Sequence, residues 1–279
     1  MSKNLLQQIM IKTEEKKKRP ESSFKLDGLV EKIKAGYTNK LVPKEQTKYS
    51  FAPSTIAYSH GECPRYWYLA FSGATFEDNS DAFGVANRTN GSKSHDRIQQ
   101  ALMDSGIAKI FKKVDKETQK EKDTTEFEIR NENPPIFGYG DGIIQWNDKE
   151  VVIEIKTVPN EGFEYRKNSG KGKKAHIIQI LIYMKILGHK HGILIYENKN
   201  NHELLPILIE VDDYYRDYIN NAFDWMKTVR ASWMKNELPT KNYRANSKIC
   251  KTCPIKNTCD AAGVGVVKIA SLEDLRETM

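Results

Sequence analysis

The sequence predicts a mixed α/β domain, with a central sheet flanked by helices. Three observations carry that prediction. Two pairs of β-like segments each close over turn residues: Gly142–Trp146 with Val151–Val158 around Asn147-Asp148-Lys149, and Gly192–Tyr196 with Leu204–Val211. Segments of helical spacing, Ala175–Leu187 and Asp212–Lys235, alternate with those pairs. The 279 residues are 39% hydrophobic and 29% charged, a balance that supports a substantial core and excludes wholesale disorder, collagen and disulfide-rich secreted modules.

Taken in order, residues 1–24 are polar and charged and are expected to form a flexible tail. Residues 25–260 are expected to form a single domain, and 261–279 a C-terminal tail. Leu26, Leu29, Val30 and Ile33 have helical spacing. Ser54 is a candidate N-cap for a helix carrying Ile56, Tyr58 and the cluster Tyr66-Trp67-Tyr68. Ala82–Met103 reads as a helix with Ile98 and Leu102 on one face and His95 on the other. The charge-alternating Asp115–Asp123 reads as a solvated turn. The two strand pairs follow, separated by a Gly/Lys/Ser-rich loop and the helix Ala175–Leu187, which Gly188 ends. The longest apolar run, around Ile177–Leu187, is broken by Gln179 and Lys185, so no membrane span is expected. Leu5–Ile11 leads into a charged run rather than a cleavage site, so no signal peptide is expected either. A cytoplasmic location is the expectation (the host cytoplasm for a viral protein).

The formal net charge of +7 is concentrated. Arg166, Lys167, Lys171, Lys173, Lys174, Lys185 and Lys190 lie in a stretch without any Asp or Glu, and setting them aside leaves 37 bases against 37 acids. Such a patch suits a polyanion, nucleic acid first, although a solvated lysine-rich loop has the same composition.

Four cysteines occur: Cys63, then Cys250, Cys253 and Cys259 in C-x2-C-x5-C spacing. In an intracellular protein such spacing points to metal rather than disulfides. Four thiolates would complete a zinc site or an iron–sulfur cluster, and spacing does not choose between them. A buried, apolar Cys63 with the other three on zinc is the alternative.

The most chemical stretch runs from Gly138 to Lys156. On a strand, Glu154 and Lys156 share a face while Ile153 and Ile155 take the other. Hairpin pairing would return Asp141 beside Glu154. Two carboxylates on adjacent strands make a hard-cation site suited to Mg²⁺ or Mn²⁺, and a lysine beside them could orient or deprotonate water or stabilise phosphate charge. Glu154 and Lys156 alone would equally make a surface salt bridge. Gln179 and Tyr183 share one face of their helix, where an amide and a hydroxyl could simply satisfy each other.

The ordered set Cys63-Pro64-Arg65, Gly91-x3-His95, Gly140-Asp141, Glu154-Ile155-Lys156, Gln179-x3-Tyr183 and Cys250-x2-Cys253-x5-Cys259 resembles the RecB-like branch of the PD-(D/E)XK nucleases, the branch with a four-cysteine iron–sulfur cluster that includes CRISPR-associated adaptation nucleases and the AddB nuclease domain. The resemblance covers roughly Ser54 to Cys259. It implies a restriction-endonuclease-like core, with the N- and C-terminal segments joined by a [4Fe–4S] cluster on Cys63, Cys250, Cys253 and Cys259; zinc is the alternative. It implies His95, Asp141, Glu154 and the Ile155 carbonyl as ligands of Mg²⁺ or Mn²⁺. Lys156 would position the nucleophilic water, and Gln179 and Tyr183 would support the site and touch the DNA backbone. The departure is Gly140, where the family name implies proline.

The implied activity is metal-dependent hydrolysis of DNA, chiefly as an exonuclease on single strands or ends, in recombination, replication, repair or CRISPR-type adaptation. A DNA-binding or assembly subunit with little cleavage is the alternative. Arg166, Lys167, Lys171, Lys173 and Lys174 are the expected phosphate contacts. Gly170-Lys171-Gly172-Lys173-Lys174 lacks nucleotide-loop spacing, so no motor is expected in this chain, and a helicase or a recombination or adaptation protein is a possible partner.

Overall fold

The computed structural model describes residues 27–115 and 118–277; the expected N-terminal tail lies outside them. The chain begins with α1 (Leu29–Thr38), β1 (Lys44–Gln46), α2 (Pro53–Ile56), a 3-10 turn (Ser59–Glu62), α3 (Pro64–Ser72), β2 (Ala74–Phe76) and α4 (Ala82–Asp104). Next come β3 (Phe111–Val114), β4 (Glu121–Thr124), β5 (Phe127–Asn131), β6 (Ile136–Gly140), β7 (Gly142–Trp146) and β8 (Lys149–Val158). The crossover α5 (Asn160–Ser169) and α6 (Lys174–Leu187) leads to β9 (His191–Asn198) and β10 (Leu204–Glu210). The chain closes with α7 (Asp213–Met234), α8 (Lys248–Lys251), α9 (Lys256–Ala261) and α10 (Leu272–Glu277).

The central sheet has the order β10-β9-β8-β7 and is mixed: β8 pairs in parallel with β9, and both outer pairings are antiparallel. Its central strand β8 is covered on both faces. Val152 and Val158 point into the large core beneath α3, α6 and α7, while Ile153 and Ile155 pack with Ile98 of α4 in a second, smaller one. Glu154 and Lys156 therefore lie on the large-core face, and Glu154 is 1% exposed. Such a position demands compensation for the carboxylate, because a desolvated charge left alone is costly.

Several local expectations change. The single helix expected from Ser54 is broken into three pieces. Pro53 opens α2, and Ala52 rather than Ser54 is its N-cap. At Gly61 the chain turns back so closely that a Cβ would stand 1.9 Å from the Thr55 carbonyl oxygen. Cys63 is extended (φ −90°, ψ 118°), as the residue before a proline prefers, and Pro64 then opens α3. Asp115–Asp123 is not only a turn: Glu121–Thr124 is a strand paired with Phe111–Val114, and a Lys112–Asp123 ion pair of 2.6 Å links the two strands. Residues 160–169, read as loop, form α5. Phe163 alone is buried there, so no apolar stripe marked the helix. The chain past Cys259 continues onto α7, burying Ile269 and Leu272. No helix among the described residues is long and apolar enough to cross a membrane.

Candidate active site

Asp141 is the single residue between β6 and β7, and the packing explains its neighbours. A Cβ on Gly140 would lie 2.2 Å from Cζ of Phe127, so proline or any other side chain before this aspartate would force that ring to move. The β7–β8 register, with Gly142 opposite Ile153, sets Asp141 across from Glu154. Asp141 is held from three sides. Its carbonyl accepts from Gln99 Nε2 (3.0 Å) and Thr125 Oγ1 (2.6 Å), and its Oδ2 accepts the Ile155 N–H (2.6 Å). Its Oδ1 is 3.3 Å from Nδ1 of His95. Sequence reasoning missed Gln99 and Thr125; Gln99 was findable, four residues after His95 on the same helical face.

Glu154 Oε1 accepts from Lys156 Nζ, and its buried Oε2 has no partner among the described residues. Burial pushes the Glu154 carboxyl up to about 7, the Asp141 charge adds to this, and Lys156 opposes it. For Lys156 burial favours the neutral amine, but Glu154 and Asp141 outweigh it and hold the ammonium above its ordinary value. His95 follows the same logic: burial lowers its pKa, but the hydrogen bond and charge of Asp141, with Glu154, outweigh burial and leave it raised. The chain thus gathers negative charge and partly offsets it with the Lys156 ammonium.

Gln179 and Tyr183 are buried beneath this centre. Gln179 Nε2 donates to Tyr183 Oη (2.9 Å), and Tyr183 donates to the Tyr139 carbonyl (3.0 Å), tying α6 to the strand that leads into Asp141. Burial and the Glu154 charge keep the Tyr183 hydroxyl protonated.

The basic segment divides. Arg166 stacks over the Tyr196 ring at 4.9 Å, and the Lys173 N–H donates to Tyr196 Oη (2.9 Å). Tyr196 lies opposite Lys156 in the β8–β9 register. His176 Nδ1 is 3.0 Å from the same Oη, and burial with Lys156, Lys173 and Arg166 drives its imidazole down to about 2, so it stays neutral. Lys167 instead pairs with Glu203 at 2.7 Å. Lys171 and Lys174 line a separate pocket with Tyr214, Tyr215 and Leu208. His176 and Tyr196 were not singled out from the sequence, because only the parallel register brings them beside Lys156.

Cys63, far from the other three in the chain, joins Cys250, Cys253 and Cys259 in lining one pocket. Burial raises the Cys63 thiol to about 11 and the Cys253 thiol to about 12, and the neighbouring cysteines add to both shifts. Arg65, 1% exposed, lies against them: its Nε donates to Cys259 Sγ (3.2 Å) and its other nitrogens to the carbonyls of Pro239 (2.8 Å), Cys259 (3.2 Å) and Gly263 (2.7 Å). No carboxylate pairs with this buried guanidinium among the described residues. An anionic sulfur-ligated group in the pocket would supply the missing charge, so the donor set fits one.

Among the described residues, no group of three or more His, Cys, Asp or Glu side chains is arranged, as it stands, to hold a single metal ion. In the carboxylate centre Lys156 takes the position on Glu154 that a cation would compete for. The unpartnered Oε2 beside Asp141 and His95 fits such a cation.

No protein-family model and no curated protein sequence matches the chain. Solved structures do. A protein designated SSO0001 has 20% identity and a TM-score of 0.39, over 87% of this chain and 100% of that one. The alkaline exonuclease LHK-Exo of Laribacter hongkongensis has 16% identity and a TM-score of 0.38, over 53% of this chain and 71% of its own. LHK-Exo in complex with dAMP has 15% identity and a TM-score of 0.44, over 74% and 93%.

Proposed function

We propose that this protein is a divalent-cation-dependent nuclease that hydrolyses DNA, acting on single strands or ends. The observation that carries this reading is Glu154: a carboxylate buried in the core, short of one partner, facing Asp141 and His95, with a lysine beside it. A structural salt bridge does not require a second carboxylate raising the first.

Asp141, Glu154 and His95 would hold Mg²⁺ or Mn²⁺, with the Ile155 carbonyl as a further donor. A cation there would supply Lewis acidity to a phosphodiester and lower the pKa of an attacking water. The Ile155 N–H and the two donors on the Asp141 carbonyl fix that aspartate in position. Lys156, released from Glu154, is placed to orient the nucleophile and offset charge on the scissile phosphate. Gln179 and Tyr183 act as positioning residues through Tyr139. Arg166 and Lys173 make the flank of the site positive, which suits a phosphate backbone.

Cys63, Cys250, Cys253 and Cys259 would hold a [4Fe–4S] cluster, whose negative charge the buried Arg65 would offset; the group would clasp α3 to the C-terminal segments.

The test is digestion of end-labelled single-stranded, duplex and circular DNA with Mn²⁺ or Mg²⁺, beside Asp141→Ala and Lys156→Ala. Cleavage lost in both variants is expected; undiminished cleavage by Asp141→Ala rejects the metal-site assignment. An anaerobic preparation should be brown, and stoichiometric zinc in a colourless protein would replace the cluster by zinc.

A further inference from the structure

A second polar pocket opens between α4 and the ends of β8 and β9. It is lined by Lys93, Ser94 and Arg97 from α4, Thr157 from β8, and Lys199 and His202 from the turn joining β9 to β10. Ser94 is the chain neighbour of His95 and Thr157 of Lys156, so the helix and strand that carry the carboxylate centre carry this pocket also.

Its charge is positive. The acid at its base is Glu197, fully buried, which accepts from Arg97 and lies 2.9 Å from His202 Nδ1. Burial works to raise this carboxyl, but its contacts with His202, Arg97 and Ser94 together hold it below the usual range, and it fixes the Arg97 and His202 side chains. The pocket lining itself holds Lys93, Arg97 and Lys199 and no carboxylate. Lys93 enters no ion pair among the described residues, and Lys199 is oriented by a neutral amide, donating to Asn87 Oδ1 at 2.9 Å. Arg97 keeps 53% of its side chain exposed. The turn itself is strained: His202 has φ +63°, a left-handed conformation that a non-glycine residue holds only when its surroundings enforce it. The backbone bond from His202 N–H to the Asn198 carbonyl (2.8 Å) and the Glu197 contact hold the turn, and His202 lines the pocket. Two ammonium groups and a guanidinium, with two hydroxyls between them, form a donor set matched to phosphate oxygens.

We infer that this pocket binds a phosphate group of the nucleic-acid strand, next to the one to be cleaved. The inference rests on the nuclease reading above. It gives the strand a second anchor on α4, on the opposite face of the sheet from Arg166 and Lys173, so that the chain would grip its substrate from both sides of β8.

The experiment is equilibrium binding of labelled single strands by the full chain in EDTA over a salt series, comparing wild type with the double variant Lys93→Ala/Lys199→Ala. Both lysines are surface residues, and an unchanged circular dichroism spectrum checks the fold. We expect affinity to fall about five- to tenfold, and the slope of log affinity against log salt to flatten by about 0.7. Strands with a 5′-phosphate, with a 5′-hydroxyl and circular strands are compared. An equal loss on all three assigns an internal phosphodiester, a loss confined to the 5′-phosphorylated strand assigns a terminal monophosphate, and either supports the pocket. Unchanged affinity and slope on all three overturn it, as does the absence of any wild-type binding. Cleavage by the wild type with Mn²⁺ is scored separately: a protein that binds but never cuts rejects the nuclease reading, and the affinity comparison still decides the pocket.

Discussion

The carboxylate centre and the cysteine pocket are both assembled from distant parts of the chain, yet they balance charge in opposite ways. At the carboxylate centre the protein supplies its own counter-charges: Lys156 binds Glu154, and His95 leans on Asp141. In the cysteine pocket it does not. Arg65 is buried without a carboxylate, and at least two of the thiols are pushed so far up that they are neutral at physiological pH. The first region is framed by ladder hydrogen bonds of the central sheet; the second is framed by helices as short as Lys248–Lys251 and Lys256–Ala261. A site that compensates itself can fold without its ion, whereas one that leaves a cation buried depends on what it binds.

The largest effect should therefore be on the stability of the cysteine side. Cys63→Ser should cost more than about 3 kcal/mol, because the cluster proposed for this pocket would clasp two ends of the domain and contribute its binding energy to folding. Asp141→Asn should cost about 1 kcal/mol, since the amide oxygen still accepts the Ile155 N–H. Urea midpoints of both variants test the contrast, and equal losses would break it.

Next comes the self-compensation itself. Lys156→Met leaves Glu154 buried without its partner and should cost about 3 kcal/mol at pH 8. The sign with pH follows from Glu154. Its folded pKa, about 7, lies above the ordinary 4.5, so its burial is tolerated best when it is protonated, and stability falls as pH rises between those values. Removing Lys156 takes away a group that lowers this pKa and deepens that fall. At pH 5.5 the variant should recover most of its loss. A loss that is the same at pH 5.5 and pH 8 would mean that Lys156 acts through packing rather than charge.

These contrasts also separate what the sequence could and could not reveal. The Asp141–Glu154–Lys156 arrangement was legible because strand periodicity and a short turn determine a register, and a register determines which side chains meet. Gln179 and Tyr183 were legible by the same logic applied to a helix. The donors on the Asp141 carbonyl were not, since Thr125 and Gln99 come from other elements, 16 and 42 residues away. Nor was the break at Gly61, which depends on contact with the Thr55 carbonyl rather than on local propensity. Cysteine spacing announced a shared site; the burial of Arg65 against it required the fold.

The smallest effect concerns the basic segment, where composition treated as equal what the structure separates. Lys173 sits at the loop whose backbone binds Tyr196, and its charge reaches His176 beside Lys156. Lys167 holds Glu203 in an exposed, solvent-screened pair that leaves little net charge for a distant phosphate. Lys173→Ala should flatten the salt dependence of single-strand binding by about 0.7, and Lys167→Ala should leave it nearly unchanged. Equal slopes for the two variants would mean that the strand ignores the division of the segment and reads only its total charge. A slope change for Lys167 alone would move the strand's path away from Tyr196 and toward the β9–β10 turn.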